Sequence, residues 1–169
     1  MNGRMAMILV TCGAAALTLA TIEGSSPRYI WNASESVPPG LYRLQAVQQL
    51  TVTELVAIRP PEPLARFLDL NDYLPLGVPM LKRVLALPGQ TVCGTGPTIA
   101  VDNIEVGHAR ERDGRGRLLP IWQGCRVVAA DELFVMNWQS DESLDGRYFG
   151  VIPASAVIGQ VLPVWTKDE

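Results

Sequence analysis

Leu81-Lys82-Arg83-Val84-Leu85-Ala86-Leu87-Pro88-Gly89 is an apolar run closed by a Pro-Gly turn, with a single lysine near its start. Side chains alternate sides along a strand, so Lys82, Val84 and Ala86 share one face and Arg83, Leu85 and Leu87 the other. The run predicts a strand from Lys82 to Leu87. If the Lys82 face is the inner one, desolvation drives its pKa down from about 10.4 toward neutrality. If the strand lies at a sheet edge, Lys82 is an ordinary solvated cation.

Working outward, most of the chain divides into similar short runs broken by Gly and Pro. Gly40 to Leu44, Leu50 to Ile58, Thr98 to Val101, Arg126 to Val128, Leu133 to Met136, Tyr148 to Ile152 and Ala156 to Leu162 carry the β-branched enrichment or alternation of strands. Pro60-Pro61-Glu62-Pro63 reads as a turn, and Leu64 to Tyr73 as a short helix. The pattern predicts a mainly β protein of twisted, mostly antiparallel sheets. There are no internal repeats and no linker that would divide this part.

Composition limits what such a domain can be. At 169 residues, 48% hydrophobic and 18% charged, the chain can bury one substantial core. A net charge of −3 gives no basic footprint, so nucleic acid is not an expected partner. The basic stretch Arg110 to Arg117 is interleaved with acids and glycines and reads as a solvated loop rather than a binding patch.

The N-terminus differs from everything after it. Met5 to Ile22 is uncharged and apolar, long enough at 1.5 Å per residue to reach across a bilayer core of about 30 Å. Arg4 before it and Glu23 after it place the N-terminus in the cytoplasm and the rest outside. Residues 1–24 are therefore expected to be a cytoplasmic tip and membrane anchor, with 25–169 as an exported β domain. A cleaved signal peptide, favoured by the small residues around Ala16 to Ala20, and a buried helix are the competing readings.

Cysteine usage fits export. Cys12 lies in the apolar segment, leaving Cys93 and Cys125 as an even pair in the domain. In an oxidising compartment they can bridge, which in the chain-entropy model stabilises the fold by roughly 3–4 kcal/mol; otherwise they are two buried thiols. No CxxC spacing and one histidine argue against a zinc site.

A depressed lysine becomes a general base if a nucleophile lies within reach. Asn32-Ala33-Ser34-Glu35-Ser36-Val37-Pro38-Pro39-Gly40-Leu41-Tyr42 offers one: Pro38, Pro39 and Gly40 restrict the backbone after Ser36 and bias Val37 toward extended geometry. Alone, the segment is equally an ordinary turn entering a strand. His108 is the rival base and would give a nominal Ser36/His108/Asp145 set. Its setting beside the Arg/Gly-rich loop makes it a surface histidine instead.

A third segment joins these two: Asn137-Trp138-Gln139-Ser140-Asp141-Glu142-Ser143-Leu144-Asp145-Gly146-Arg147-Tyr148-Phe149-Gly150-Val151-Ile152-Pro153. With it, the chain resembles the S26 family of type I signal peptidases, and within it the conjugative transfer, TraF-type, branch. The housekeeping enzymes carry Ser-Met-x-Pro-Thr at the nucleophile, whereas Ser36-Val37-Pro38-Pro39-Gly40-Leu41-Tyr42 has the conjugative form. The family's Lys-Arg-x-x-x-Leu-Pro-Gly-Asp box matches Lys82 to Gln90, and its Ser-x-Asp-Ser-Arg-Tyr-x-Gly-x-Val-Pro box matches Ser143 to Pro153. Gly146 and Val37 depart from the family's serine and methionine.

The resemblance implies a fold of the signal-peptidase and self-cleaving-repressor type, with Ser36 as nucleophile and Lys82 as its base. It implies an oxyanion hole from the Ser36 backbone N–H and the Ser34 hydroxyl, a Ser143 that orients the lysine, and a buried Asp145–Arg147 pair. Read from the residues alone, that pair is equally a hairpin salt bridge. The implied activity is cleavage of exported precursor proteins, most closely a conjugative pilin precursor, with no cofactor or metal. The implied location is the bacterial inner membrane, single-pass, with the catalytic domain in the periplasm, or free in the periplasm if the leader is removed. Two alternatives stand beside this: a housekeeping signal peptidase with many substrates, and a non-catalytic periplasmic assembly factor of the conjugation apparatus.

Overall fold

A computed structural model of the chain describes residues 29–167. The predicted anchor at 1–24 and Cys12 lie outside the described residues. The order is β1 (Tyr29–Asn32), β2 (Gly40–Gln45), β3 (Leu55–Ile58), α1 (Glu62–Leu70), β4 (Met80–Ala86), β5 (Thr91–Thr95), β6 (Thr98–Val101), β7 (Ile104–His108), β8 (Gly124–Val127), β9 (Glu132–Val135), α2 (Gly146–Phe149), β10 (Val151–Pro153) and β11 (Val157–Thr166). A seven-stranded sheet runs β1-β2-β11-β3-β4-β9-β10, and a four-stranded sheet runs β7-β6-β5-β8. Every paired neighbour is antiparallel, as the alternation predicts.

The centre of the large sheet is buried on both faces, because β3 reads Leu-Val-Ala-Ile without a polar residue. Val56 and Ile58 turn to one side, where they meet Met80, Val84, Leu133, Val135 and Leu68 of α1. Leu55 and Ala57 turn to the other, against Val37, Tyr42, Leu81 and Val161. Each fully buried aliphatic side chain of this kind contributes roughly 1.5–3 kcal/mol. A third cluster joins the small sheet to the ends of β4 and β9 through Ala86, Val92, Ile99, Val128, Phe134 and Met136.

Two expected strands are shorter than their sequences suggest. Leu50 to Ile58 is strand only from Leu55, because Thr51–Thr53 form a turn. The Glu54 carboxylate accepts from Thr51 N–H at 3.0 Å, and Thr53 adopts φ 77°. Tyr148 to Ile152 begins in helix: Asp145 N-caps α2 by accepting from Arg147 N–H, and the strand starts only at Val151. The helix read at Leu64 to Tyr73 begins earlier, at Glu62, with a proline in its first turn where the missing N–H costs nothing. Strands β1, β5 and β7 add to those that the sequence predicts.

The Arg110–Arg117 loop is docked rather than merely solvated. Tyr73 Oη donates to Asp113 at 2.6 Å, Arg117 pairs with Asp113 at 2.7 Å, and the Arg117 guanidinium lies 4.2 Å over the Tyr73 ring. These contacts hold the Asp113 carboxyl well below the usual carboxylate range, with the Tyr73 hydroxyl the largest cause. Cys93 and Cys125 stand opposite each other on β5 and β8 and are joined by a disulfide.

Candidate active site

Lys82 lies on β4 between Met80 and Val84, on the face that α1 covers, with Val56 as its cross-strand partner. It is 4% exposed. The backbone on either side of it is held by one side chain: Asn137 Oδ1 accepts from Arg83 N–H at 2.9 Å, and Asn137 Nδ2 donates to Leu81 O at 3.1 Å. Asn137 follows the end of β9 and continues its ladder with an amide in place of backbone. Burial pushes the Lys82 ammonium down to about 8, Asp145 opposes that shift and Arg147 adds to it. The amine donates to Ser143 Oγ at 2.7 Å.

Behind Ser143 sits a fully enclosed ion pair. Arg147 Nε lies 2.9 Å from Asp145 Oδ1, and a second guanidinium nitrogen lies 2.9 Å from Oδ2. Exposures of 1% and 0% show a buried pair rather than a hairpin salt bridge on the surface. Further bonds run inward: Arg147 donates to Ser140 O at 2.6 Å and Ser143 O at 3.2 Å, and Asp145 accepts from Asn137 N–H at 3.0 Å. The pair thereby ties the Ser140–Ser143 loop, Asn137 and α2 into one support beneath Lys82. Gly146 belongs to that support, since a Cβ there would meet the Phe134 ring and Val135 O.

Ser36 lies on the turn between β1 and β2, half-buried. Val37 next to it is buried in the cluster with Tyr42 and Leu81, which anchors the turn. Ser34 Oγ and Ser36 Oγ are 3.0 Å apart. Asn32, buried at the end of β1, bonds to Ser34 on both backbone and side chain, and Tyr42 Oη donates to Pro38 O at 2.6 Å. Ser34, Ser36, Lys82 and Ser143 all line one cleft of about 730 Å³. Its lining is otherwise largely apolar, with Ile30, Leu74, Val78, Met80 and Leu144. A smaller cleft of about 340 Å³, lined by Glu35, Val37, Pro39, Gln139, Ser140 and Lys167, opens on the other side of Ser36.

Ser36 and Lys82 face this common cleft without a direct hydrogen bond. Ser36 bonds to Ser34, and Lys82 to Ser143. His108 is elsewhere: it lies exposed on β7 with Glu105 at 3.6 Å and does not line the cleft. The nominal Ser36/His108/Asp145 set is not assembled. Ser34, Ser36, Lys82, Ser143, Asp145 and Arg147, the candidates from the sequence, all converge here, joined by Asn32, Asn137 and Tyr42, which were not among the candidates. For Asn32 a signal existed, since an asparagine two residues before Ser34 is the pattern of an Asx turn.

A hydroxyl on a Pro/Gly turn and a buried lysine thus share one cleft set in antiparallel β sheets, and no histidine lines it. The comparisons give the family. The model of the signal peptidase family, peptidase S26, matches residues 2–166, and the chain belongs to that family. Its relatives include the conjugal transfer protein TraF of Agrobacterium fabrum (strain C58), 34% identical over 92% of this chain and 94% of that protein. The TraF of Agrobacterium tumefaciens (strain 15955) is 34% identical over 98% of both chains. A plasmid transfer protein TraF of Escherichia coli is 30% identical over 96% of this chain and 97% of its own. A signal peptidase I from Enterococcus faecalis V583 aligns with a TM-score of 0.43 at 17% identity, covering 69% of this chain and 100% of its own.

Proposed function

We propose that this chain is a serine endopeptidase that processes exported precursor proteins, most closely the pilin precursor of a conjugative transfer system, with Ser36 as nucleophile and Lys82 as general base. It works from the periplasmic face of the bacterial inner membrane, anchored by residues 1–24. The observation that carries the reading is Lys82, a buried amine whose pKa of about 8 leaves a useful fraction neutral near physiological pH, on the same cleft as Ser36.

Neutral Lys82 takes the Ser36 proton as Ser36 Oγ attacks the scissile carbonyl carbon. The developing oxyanion is met by the Ser36 backbone N–H and the Ser34 hydroxyl. Collapse breaks the C–N bond, the Lys82 ammonium returns its proton to the leaving amine, and the acyl group remains as an ester on Ser36. Water deprotonated by Lys82 then releases the acid, or an amine of the substrate itself attacks the ester and gives a cyclic product. The largely apolar lining of the larger cleft suits small apolar side chains before the cut, and the smaller cleft suits the segment after it.

The test is co-expression of the full chain with a candidate pilin precursor. Processing is expected to be lost in Ser36→Ala and in Lys82→Ala, and retained in His108→Ala. Retained processing in either of the first two, or loss in the third, contradicts the assignment.

A further inference from the structure

Asn32 is 7% exposed and spends its whole side chain on the turn that carries Ser36. Its nitrogen donates to Ser34 O at 2.8 Å, Val37 O at 3.0 Å and Pro38 O at 3.2 Å. Its oxygen accepts from Ser34 N–H at 3.2 Å and is 2.8 Å from Ser34 Oγ. Three carbonyls around the nitrogen leave no ambiguity about which end of the amide is which. An amide oxygen has no proton to give, so Ser34 Oγ is the donor in that last bond. Ser34 has one hydroxyl proton. Once it is committed to Asn32, the 3.0 Å contact between the two serines has only one possible donor, the Ser36 hydroxyl. The resting chain therefore runs Ser36 O–H to Ser34 O–H to Asn32 Oδ1.

We propose that Asn32 is the positioning residue of the nucleophile turn: its nitrogen fixes the backbone around Ser36, and its oxygen sets the resting direction of both serine protons. The inference rests on the Ser36/Lys82 reading above. Before Ser34 can donate to an oxyanion it must release Asn32, and before Ser36 can give up its proton to Lys82 it must release Ser34. A neutral amide suits both duties, since it is a weak enough acceptor to be displaced and a donor to the turn's carbonyls, Pro38 O being shared with Tyr42 Oη. A carboxylate in its place would grip the Ser34 proton through a charge-assisted bond, turn its second oxygen onto three carbonyls, and add negative charge beside the oxyanion.

The experiment measures kcat and KM of the full chain on a peptide spanning the processing site, well below Tm and normalised to folded protein. Asn32→Ala is expected to lower kcat about tenfold with KM unchanged and the rise in activity still centred near pH 8. Asn32→Asp is expected to lower kcat at least about a hundredfold. A residue that merely filled the turn would give the opposite order, because aspartate keeps the size and half the contacts while alanine keeps neither. That order, or wild-type kcat in both variants, overturns the proposal. Neutron diffraction on the wild-type protein tests it without a variant: deuterium on Ser36 Oγ should lie toward Ser34 and that on Ser34 Oγ toward Asn32, and the reverse direction overturns it. Ser36→Ala run in parallel separates the two readings. Processing that survives Ser36→Ala removes the dyad itself, whereas its loss beside wild-type Asn32 variants removes only the role of Asn32.

Discussion

Lys82 and Ser36 share one cleft but are held there by opposite means. Lys82 stands on a central strand, 4% exposed, and its chemistry comes from what surrounds it: aliphatic neighbours, the Asn137 amide on its backbone and an enclosed ion pair behind its partner Ser143. Ser36 stands on a half-buried turn next to an edge strand, and polar side chains from β1 and β2 hold it in place. The difference suits the two tasks proposed for them. A base of depressed pKa requires the loss of water that only burial gives. A nucleophile must meet its substrate, so burial cannot fix it and hydrogen bonds to the turn do so instead.

The comparison breaks most visibly at the ion pair. Arg147→Ala leaves Asp145 buried without its partner and is expected to cost about 3–5 kcal/mol, read as a fall in the urea midpoint, with activity lost as the Ser140–Ser143 loop loosens. A midpoint unchanged within error would show that the pair does not support the Lys82 half.

Removing the disulfide separates stability from chemistry. Cys93→Ser with Cys125→Ser opens a link across 32 residues in the small sheet and is expected to cost about 3–4 kcal/mol in the chain-entropy model. The kcat of the folded protein should not change, because neither cysteine lines the cleft. A large fall in kcat at full folding would tie the small sheet to the site.

Lys82 also sets a stability signature of its own. Its pKa is about 8 in the folded chain against the ordinary lysine value of 10.5, so between those limits the unfolded chain binds more protons. Stability due to this group therefore rises with pH from about 8 to 10.5, by about 3 kcal/mol in total, and the penalty is fully present below 8. Lys82→Met should flatten that rise; an unchanged profile would mean the amine is not desolvated. At the small end, Ser36→Ala is expected to alter stability by no more than about 0.5 kcal/mol while abolishing processing, as befits a turn residue that the core does not need.

Much of this contrast could be read from the residues, and what could not has a physical reason. The alternation that sets Lys82 beside Val84 and Ala86 is local, and burial follows it along β4. The Ser36 turn is marked by Pro38, Pro39 and Gly40, whose backbone limits are also local. Leu50 to Glu54 misleads because β-branched residues suit a strand, while a bond from Thr51 to Glu54 closes a turn instead. Tyr148 misleads because the cap that makes it helical belongs to Asp145, whose carboxylate is aimed by Arg147. Asn137 and Tyr42 act on backbone carbonyls and amides, partners that every residue has, so their roles emerge only once the chain is folded, whereas Asn32 is marked by its Asx-turn spacing to Ser34.

The account stands on a desolvated Lys82, and the most direct measurement is the titration of that one amine by NMR of the Lys82 side chain in the folded protein. An inflection near 8 is the predicted result. An inflection near the ordinary lysine value of 10.5 would contradict it.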